Sequence, residues 1–259
     1  MKRENQLRRR LERDEPVFGA SAATFSPAVV ETFGAIGLDF VWLDFEHGGP
    51  SPYDSTVFEG LTRAAEAADI ELFVRLPSGD PPLVRKVLDA GVRTILIPRV
   101  ETAAEVREAV SAARFSIDGD PADRGIGVGR GSTWGADFDD HAAREDAETL
   151  VGVMIENETA IDNIEEILAV PELGFAFIGP ADLSVSVGHP MEKEHPDVRT
   201  LVDRAESAVR KSDVALAGIH NDPQAIDNAI DDGYRVLRIG GEISAARQVL
   251  GERLASLER

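Results

Sequence analysis

The chain has 259 residues and a formal net charge of −20, and 43% of its residues are hydrophobic. This is enough apolar material for one large domain, and a length near 250 residues suits a single closed α/β barrel. The acidic excess argues against nucleic acid or an anionic membrane surface as a partner, since both require a basic face. The sequence has no Cys. Disulfides, thiolate catalysis and zinc–thiolate sites are therefore excluded, and a metal would have to bind oxygen or nitrogen.

Arginine supplies most of the positive charge, because only four of the 27 cationic residues are Lys, at positions 2, 86, 193 and 211. Scarce Lys with a dense acidic surface is typical of halophiles, where molar salt screens the repulsion between acidic groups. The basic stretch 1–15 precedes no apolar run of signal-peptide length and is predicted to form an N-terminal helix. No stretch approaches the roughly 20 apolar residues of a membrane span. We therefore expect a soluble, cytoplasmic protein with no membrane partner.

Short apolar runs alternate with amphipathic helical patterns about eight times along the chain. The predicted strands are 18–24, 40–45, 71–77, 94–100, 150–156, 175–179, 215–220 and 235–240. The predicted helices between them are 26–37, 51–69, 80–91, 102–116, 159–171, 197–213 and 222–233. Several of these helices open with Ser, Asp or Thr followed by Pro, which is a common helix start. The alternation predicts an α/β fold, a (β/α)8 TIM barrel forming a single domain over 1–259. An open doubly wound sheet is the alternative, because strand order cannot be read from sequence.

The segment 117–148 interrupts this repeat. It contains nine acidic residues and six Gly without clear periodicity, and is predicted to be an acidic, Gly-rich loop that could form a lid or a subunit contact on either barrel face. Its R-G-I-G-V-G-R-G run follows no predicted strand and opens no evident helix. It is therefore a weak candidate for a dinucleotide-binding loop.

The active site of such a barrel lies at the carboxyl ends of its strands. The polar residues predicted there are Asp44, Glu46, His47, Arg75, Glu156, Asp182, His220, Asn221 and Asp222. Glu156 and Asp182 end neighbouring strands and could bind one divalent cation, although each could instead cap a helix or pair with an Arg. None of the predicted strands contains Lys, which argues against imine chemistry and favours a metal as the electrophile.

Five motifs together resemble one known family. They are V-W-L-D-F-E-H-G at 41–48, V-R-L-P at 74–77, V-L-D-A-G at 87–91, I-E-N-E-T-A at 155–160 and I-G-P-A-D-L-S at 178–184. They resemble the HpcH/HpaI family of metal-dependent class II aldolases, over nearly the whole chain. The resemblance implies reversible cleavage of a 4-hydroxy-2-keto or 2-keto-3-deoxy acid to pyruvate and an aldehyde. It also implies a homo-oligomer, expected to be a hexamer.

The resemblance assigns a metal site and two catalytic residues. Glu156 and Asp182 correspond to ligands of magnesium, manganese or cobalt, which would also bind the keto and carboxylate oxygens of pyruvate. Arg75 corresponds to the residue that contacts the keto oxygen and stabilises the enolate. His47 resembles the general base for the substrate's 4-hydroxyl, although it could instead be a structural His at a strand end.

Further positions carry supporting roles by the same resemblance. Asp44 is expected to orient water or His47, and backbone groups of Gly179, Pro180 and Ala181 are expected to position the pyruvate carboxylate. Met154 stands where family members commonly have a substrate-contacting Gln, and a thioether donates no hydrogen bond. That substrate contact is therefore either weakened or replaced by a water.

Asp89 matches the family's Asp that pairs with the catalytic His. It lies near the end of a predicted helix, which in one barrel points toward the opposite face. A pair with His47 would therefore have to form across a subunit interface, unless the helix boundary is misplaced. Alternatively, Asp89 simply caps the helix before Gly91.

The C-terminal stretch 243–259 is predicted to be a helix with an apolar stripe, made of Ile243, Ala246, Val249, Leu250, Leu254 and Leu257. This stripe could pack on a partner subunit or on the chain's own barrel. Three other functions remain open from sequence. They are an acyl-CoA lyase of the citrate-lyase β type, an isomerase barrel that binds phosphate at 238–241, and a barrel without catalytic activity that serves as a scaffold.

Overall fold

Eight parallel strands close into one barrel in the computed structural model, which describes residues 4–136 and 138–257. The barrel strands are β1 Val17–Ser21, β2 Phe40–Asp44, β3 Glu71–Arg75, β4 Thr94–Ile97, β7 Leu150–Ile155, β8 Leu173–Ile178, β9 Ala215–Ile219 and β10 Tyr234–Gly241. Around the barrel they follow the order β1-β10-β9-β8-β7-β4-β3-β2, so that β1 pairs with both β10 and β2. The predicted TIM barrel is confirmed, and the open-sheet alternative is wrong.

The predicted strands match the observed ones to within a few residues, and they differ mainly by being too long at their carboxyl ends. β3 ends at Arg75 rather than at Pro77, and β4 ends at Ile97, directly before Pro98. Proline has no backbone N–H to donate to a neighbouring strand, so pairing stops there. The chain then turns into the loops that form the mouth of the barrel.

Twelve helices are present in the described part of the chain. They are α1 Gln6–Leu11, α2 Pro27–Ile36, α3 Ser55–Ala67, α4 Pro81–Asp89, α5 Ala103–Ala113, α6 His141–Glu148, α7 Glu158–Asp162, α8 Ile164–Leu168, α9 Pro180–Ser186, α10 Pro196–Val209, α11 Pro223–Asp231 and α12 Glu242–Ala255. The helix predicted over 159–171 is divided in two at Asn163, which has non-helical φ and ψ of −97° and 10°. None of the described helices is both long and apolar enough to cross a bilayer.

Aromatic side chains fill the interior of the barrel. Trp42 stacks on Phe73 with ring centroids 4.8 Å apart, and Phe73 contacts Phe40 and Phe175, each at 5.1 Å. Residues two apart on a strand face the same side, so the alternate residues face outward. These outward residues form a second, larger apolar cluster with the surrounding helices. The interior of the barrel is therefore a packed apolar core that holds the strand ends at the mouth in place.

Helix α1 lies against the amino end of the barrel. Its Leu7 is buried in the interior cluster, and the Asn5 amide that precedes the helix donates to Thr94 Oγ1 and to the Glu148 carbonyl, both at 3.0 Å. The helix predicted over 1–15 is thus shorter than expected, and residues 1–3 lie outside the described residues. The mouth at the opposite end is left open for the site.

The expectation of an irregular loop over 117–148 is partly wrong. The segment takes part in a two-strand hairpin formed by β5 Ser116–Ile117 and β6 Asp120–Pro121. It also contains a 3-10 turn, Thr133–Gly135, and helix α6. Residue 137 lies outside the described residues. The buried residues of α6 are His141, Glu145 and Glu148. Because they are polar, the sequence has no helical spacing of apolar residues from which this helix could be predicted. Arg124 pairs with the buried Glu145 at 3.2 Å and anchors the segment at the amino end of the barrel.

Helix α12 does not bury its apolar stripe on its own barrel. None of its described residues is buried, and Ile243, Val249, Leu250 and Leu254 are 41% to 61% exposed. Leu257, just beyond the helix, is also exposed, whereas residues 258 and 259 of the predicted helix lie outside the described residues. The reading in which this helix docks on its own barrel is therefore wrong for the single chain.

Candidate active site

The predicted polar residues meet at the carboxyl end of the barrel. Asp44 ends β2, Arg75 ends β3, Glu156 directly follows β7, and Asp182 lies in the first turn of α9, which follows β8. Glu156 is close enough to Asp182 for their charges to interact, and Arg75 also acts on Glu156. The structure therefore brings together the two predicted metal-binding carboxylates and the predicted catalytic Arg.

Arg75 is held rigidly by two acids. Its Nε donates to Asp44 Oδ1 at 2.9 Å and its Nη2 to Asp44 Oδ2 at 2.5 Å, a two-pronged pairing that fixes the guanidinium plane. Its Nη1 lies 2.8 Å from Glu46 Oε2, and the guanidinium carbon is 5.7 Å from the centre of the Trp42 ring. Burial lowers the pKa of Arg75, but the bonds to Asp44 outweigh it and raise that pKa. Arg75 is thus a fixed cation at the mouth of the barrel.

Asp44 also organises the turn that carries His47. Its Oδ1 accepts hydrogen bonds from the backbone N–H groups of Glu46 and His47, at 3.1 and 3.3 Å. Burial acts to raise the pKa of Asp44, but Arg75 and these backbone donors hold it below its usual value. Asp44 therefore contacts the backbone of His47 and not its ring, and the expectation that Asp44 orients water or His47 stays a prediction.

Glu156 is 3% exposed, and its two carboxylate oxygens have different surroundings. Oε1 accepts the backbone N–H of Arg99 at 2.7 Å. Oε2 is buried and has no hydrogen-bond partner within the described residues. Burial raises the pKa of Glu156 to about 7, and the nearby charges of Asp182 and Glu46 act in the same direction. A buried, unpartnered carboxylate oxygen beside two further acids fits a bound divalent cation, which would neutralise this excess of negative charge.

Because Gly179 has no side chain, it leaves room for the side chain of Glu156. A Cβ at position 179 would lie 2.8 Å from Glu156 Cβ and 3.1 Å from Glu156 Oε2. The neighbouring Pro180 begins α9, and the Ser184 hydroxyl donates to the Ala181 carbonyl at 2.5 Å. The glycine in the I-G-P-A-D motif is therefore required by close approach to the carboxylate. Contact of 179–181 with a pyruvate carboxylate stays a prediction.

His47 and Asp89 lie at opposite ends of the barrel within one chain. His47 is 63% exposed at the mouth, with its Nε2 3.6 Å from Glu46 Oε2. Asp89 ends α4, which runs toward the amino end of the barrel, and burial raises the pKa of its carboxyl. Its Oδ2 would be 2.6 Å from a Cβ at Gly127, in the segment 117–148. The barrel therefore separates the two residues, and a pair between them across a subunit interface stays a prediction.

Met154 is buried beside Arg75. Its sulfur lies 3.5 Å from Arg75 Nη1, so the thioether accepts weakly from the guanidinium. Position 154 thus serves the packing of Arg75 and offers a substrate no hydrogen-bond donor.

Sequence reasoning placed Glu46 at a strand end without assigning it a role, and it missed Arg99 and Trp42. Glu46 pairs with Arg75, and burial raises the pKa of its carboxyl. Arg99 has a left-handed φ of 54°, which directs its backbone N–H at Glu156. The D-F-E-H motif at 44–47 is the sequence feature that could have identified Glu46 as a site residue. No sequence signal identifies a backbone N–H donor such as that of Arg99.

A second cluster of metal-binding residue types lies between α9 and the start of α10. His189, His195 and Asp197 have ligand atoms within 4.8 Å of one another, but the His195 Nδ1 already accepts the backbone N–H of Asp197 at 3.3 Å. The two imidazole rings stack with centroids 3.4 Å apart. This cluster caps and packs the loop, and it lies on a different element from Glu156.

Comparison with known proteins identifies the family of the chain. The model of the HpcH/HpaI aldolase/citrate lyase family matches residues 19–248, and the chain belongs to that family. It is 32% identical over 242 residues to a hydroxypyruvate/pyruvate aldolase of Roseobacter denitrificans, covering 93% of this chain and 92% of the relative. It is also 32% identical over 253 residues to a 2-keto-3-deoxy-L-rhamnonate aldolase of Klebsiella pneumoniae, covering 97% of this chain and 92% of the relative.

A solved structure shows the same architecture. The crystal structure of an HpcH/HpaI aldolase/citrate lyase family protein from Burkholderia cenocepacia superposes with a TM-score of 0.87 at 33% identity, covering 96% of this chain and 99% of that one.

Proposed function

We propose that the protein is a divalent-metal-dependent aldolase that reversibly cleaves a 4-hydroxy-2-keto or 2-keto-3-deoxy acid to pyruvate and an aldehyde. The observation that carries this proposal is the buried carboxylate of Glu156, whose Oε2 lacks a partner in the described part of the chain and lies close to Gly179. The family membership and the named activities of the two relatives support the same reaction class.

Glu156 and Asp182 are the residues that would hold the cation. Magnesium, manganese and cobalt all suit a site built from carboxylate oxygens. When bound, the cation supplies the electrophile that draws electron density from the keto group of the substrate. The neighbouring positions Gly179, Pro180 and Ala181 would orient the carboxylate of the keto acid with their backbone groups.

Bond cleavage requires a base and a site for negative charge. His47 would remove the proton from the 4-hydroxyl, after which the C4 oxygen forms the aldehyde carbonyl as the C3–C4 bond breaks. The bonding electrons become the enolate of pyruvate, and Arg75 would stabilise the charge that develops on its oxygen. Protonation of C3 from solvent then completes pyruvate, and His47 returns to solvent the proton that it removed from the hydroxyl. Because Asp44 and Glu46 hold Arg75 before substrate arrives, little reorganisation of the guanidinium is needed.

Pyruvate release tests the proposed reaction. The full chain would be incubated with a panel of 2-keto-3-deoxy sugar acids and 4-hydroxy-2-keto acids, with a coupled assay for pyruvate, with and without EDTA. Metal-dependent release from at least one acid is the expected result. No release from any acid after addition of magnesium, manganese or cobalt would contradict the proposal.

A further inference from the structure

Two of the five histidines in the chain, His189 and His195, lie in contact in the loop between α9 and α10. His195 directly precedes α10, and Asp197 lies in the first turn of that helix. One ligand atom from each of these three side chains lies within 4.8 Å of the other two. We call these three residues the histidine cluster. They bring two imidazoles and a carboxylate together outside the proposed aldolase site.

Backbone hydrogen bonds hold the histidine cluster in position. The N–H of His189 donates to the Ser184 carbonyl at 2.8 Å, and the N–H of Met191 donates to Ser184 Oγ at 2.9 Å. Further along the loop, the N–H of His195 donates to the Glu192 carbonyl at 2.9 Å. Ser184 is itself fully buried in α9. The loop is therefore fastened to the fold, and little backbone ordering is needed to direct the three side chains at one ion.

The distances within the histidine cluster are close to those of a metal site. Asp197 Oδ2 lies 3.5 Å from His189 Nε2 and 3.7 Å from His195 Nδ1. In a tetrahedral site with metal–ligand bonds of about 2.0–2.1 Å, neighbouring ligand atoms are about 3.3–3.4 Å apart. The two observed separations therefore need to shorten only slightly. The two rings, which stack with centroids 3.4 Å apart, have to tilt so that both lone pairs converge on the ion.

His195 Nδ1 already presents its lone pair toward Asp197. The backbone N–H of Asp197 donates to this nitrogen at 3.3 Å, so the nitrogen carries no proton. A bond of this length is weak, and a metal can displace it at small cost. The side chains of His189 and His195 are 30% and 28% exposed, and that of Asp197 is 69% exposed. The exposed side gives the rings room to tilt and leaves a fourth position open to water.

The donor atoms of the histidine cluster differ from those of Glu156 and Asp182. Two imidazole nitrogens and one carboxylate oxygen suit zinc and its first-row neighbours cobalt, nickel and copper. Carboxylate oxygens alone are the ligands preferred by magnesium and manganese. The two groups of residues should therefore bind different ions.

We infer that His189, His195 and Asp197 form a second metal site, which binds one zinc ion or a similar late first-row ion with water as the fourth ligand. The ion joins the loop after α9 to the first turn of α10. It stabilises the folded chain, because three ligands held together only in the folded state bind it more tightly than the unfolded chain does. The inference goes beyond the proposed aldolase function, in which none of the three residues takes part.

Zinc titration of the full chain, stripped of metal, tests the second site. The background is the double variant Glu156→Gln, Asp182→Asn, which removes both proposed aldolase ligands. One zinc per chain should bind by calorimetry, and saturating zinc should raise the melting temperature, whereas magnesium and manganese should not. His189→Asn or His195→Asn should weaken zinc binding by more than the roughly 10- to 100-fold that loss of an outer-shell partner costs. Melting curves in EDTA show that each variant is folded.

A matched pair of substitutions in α10 separates ligand binding from a general effect of charge. Asp203 is 66% exposed on the same helix as Asp197, and its carboxylate lies 3.9 Å from Arg199. Asp197→Asn should weaken zinc binding, and Asp203→Asn should leave it unchanged. The inference is overturned if the background variant binds no zinc, if zinc affinity is the same after loss of either His, or if Asp203→Asn weakens binding as much as Asp197→Asn.

Discussion

The backbone N–H of Arg99 donates to Glu156 Oε1 at 2.7 Å, across the gap between the ends of β4 and β7. This bond fixes one carboxylate oxygen and leaves Oε2 as the free one. A residue with a left-handed φ of 54° is uncommon unless its surroundings hold it there. The carboxylate of Glu156 is therefore held in place, with Oε2 directed to the cation proposed above.

The first prediction concerns metal affinity. Glu156→Gln removes the charge but keeps the shape, and should weaken manganese binding by at least about 100-fold while leaving the melting temperature of the metal-free protein similar or higher. The higher value is expected because the variant no longer buries an unpartnered carboxylate. Titration calorimetry measures the affinity, and the exposed Glu158→Gln in α7 is the matched control. Equal manganese affinity in wild type and Glu156→Gln would exclude Glu156 as a ligand.

The second prediction concerns Gly179. An added methyl at 179 would lie within 2.8 Å of Glu156 Cβ, so Gly179→Ala should lower the free energy of unfolding by about 1–3 kcal/mol and weaken metal binding. Gly60→Ala in α3 meets no atom within 4 Å and should instead stabilise the protein by roughly 0.5–1 kcal/mol. Denaturant unfolding measures both variants. If Gly179→Ala raised the free energy of unfolding as Gly60→Ala is expected to, the close approach of Glu156 to position 179 would have no energetic consequence.

The sequence predicted the barrel well because buried parallel strands are continuous apolar runs, and barrel enzymes place polar residues at strand ends. It could not predict helix α6, whose buried residues are polar. It could not predict the left-handed φ of Arg99 either, because no sequence pattern identifies a backbone N–H that donates to a carboxylate on a neighbouring strand.

The third prediction separates Arg75 from His47. Arg75→Ala should depress both aldol cleavage and exchange of the pyruvate methyl protons, because the enolate charge arises in each. His47→Ala should lower cleavage by about 10² to 10⁴ and exchange far less, because the hydroxyl proton is present only in the aldol. Arg75→Lys should restore activity incompletely, since Lys cannot reproduce the two bonds to Asp44. Complete loss of exchange in His47→Ala would show that His47 acts on the pyruvate methyl group.

The fourth prediction concerns assembly. The exposed apolar stripe of α12 should pack against a second copy of the chain, so the protein should be a homo-oligomer by light scattering, with a hexamer expected. Replacing Leu250 and Leu254 together by Glu should reduce the measured mass. Ile36→Glu, at an exposed residue of α2 outside the stripe, is the control and should leave the mass unchanged. A monomeric wild type in molar salt would refute the assembly.

The fifth prediction concerns salt. With a formal net charge of −20, repulsion between acidic groups should destabilise the fold as the screening length grows from about 3 Å at 1 M salt to about 30 Å at 0.01 M. The melting temperature should fall on dilution from molar to millimolar salt, and subunit contacts should weaken before the barrel unfolds. Identical melting temperatures across this range would contradict the expected adaptation to salt.

Exchange of the pyruvate methyl protons for deuterium, followed by NMR, tests the central claim most directly because it requires neither the natural aldehyde nor a coupling enzyme. The account predicts exchange by the wild type with manganese or magnesium, loss of exchange after exhaustive chelation, recovery on adding the metal back, and no recovery in Glu156→Gln. Full exchange in the chelated wild type, or in Glu156→Gln with metal, would contradict a reaction that depends on a cation held by Glu156 and Asp182.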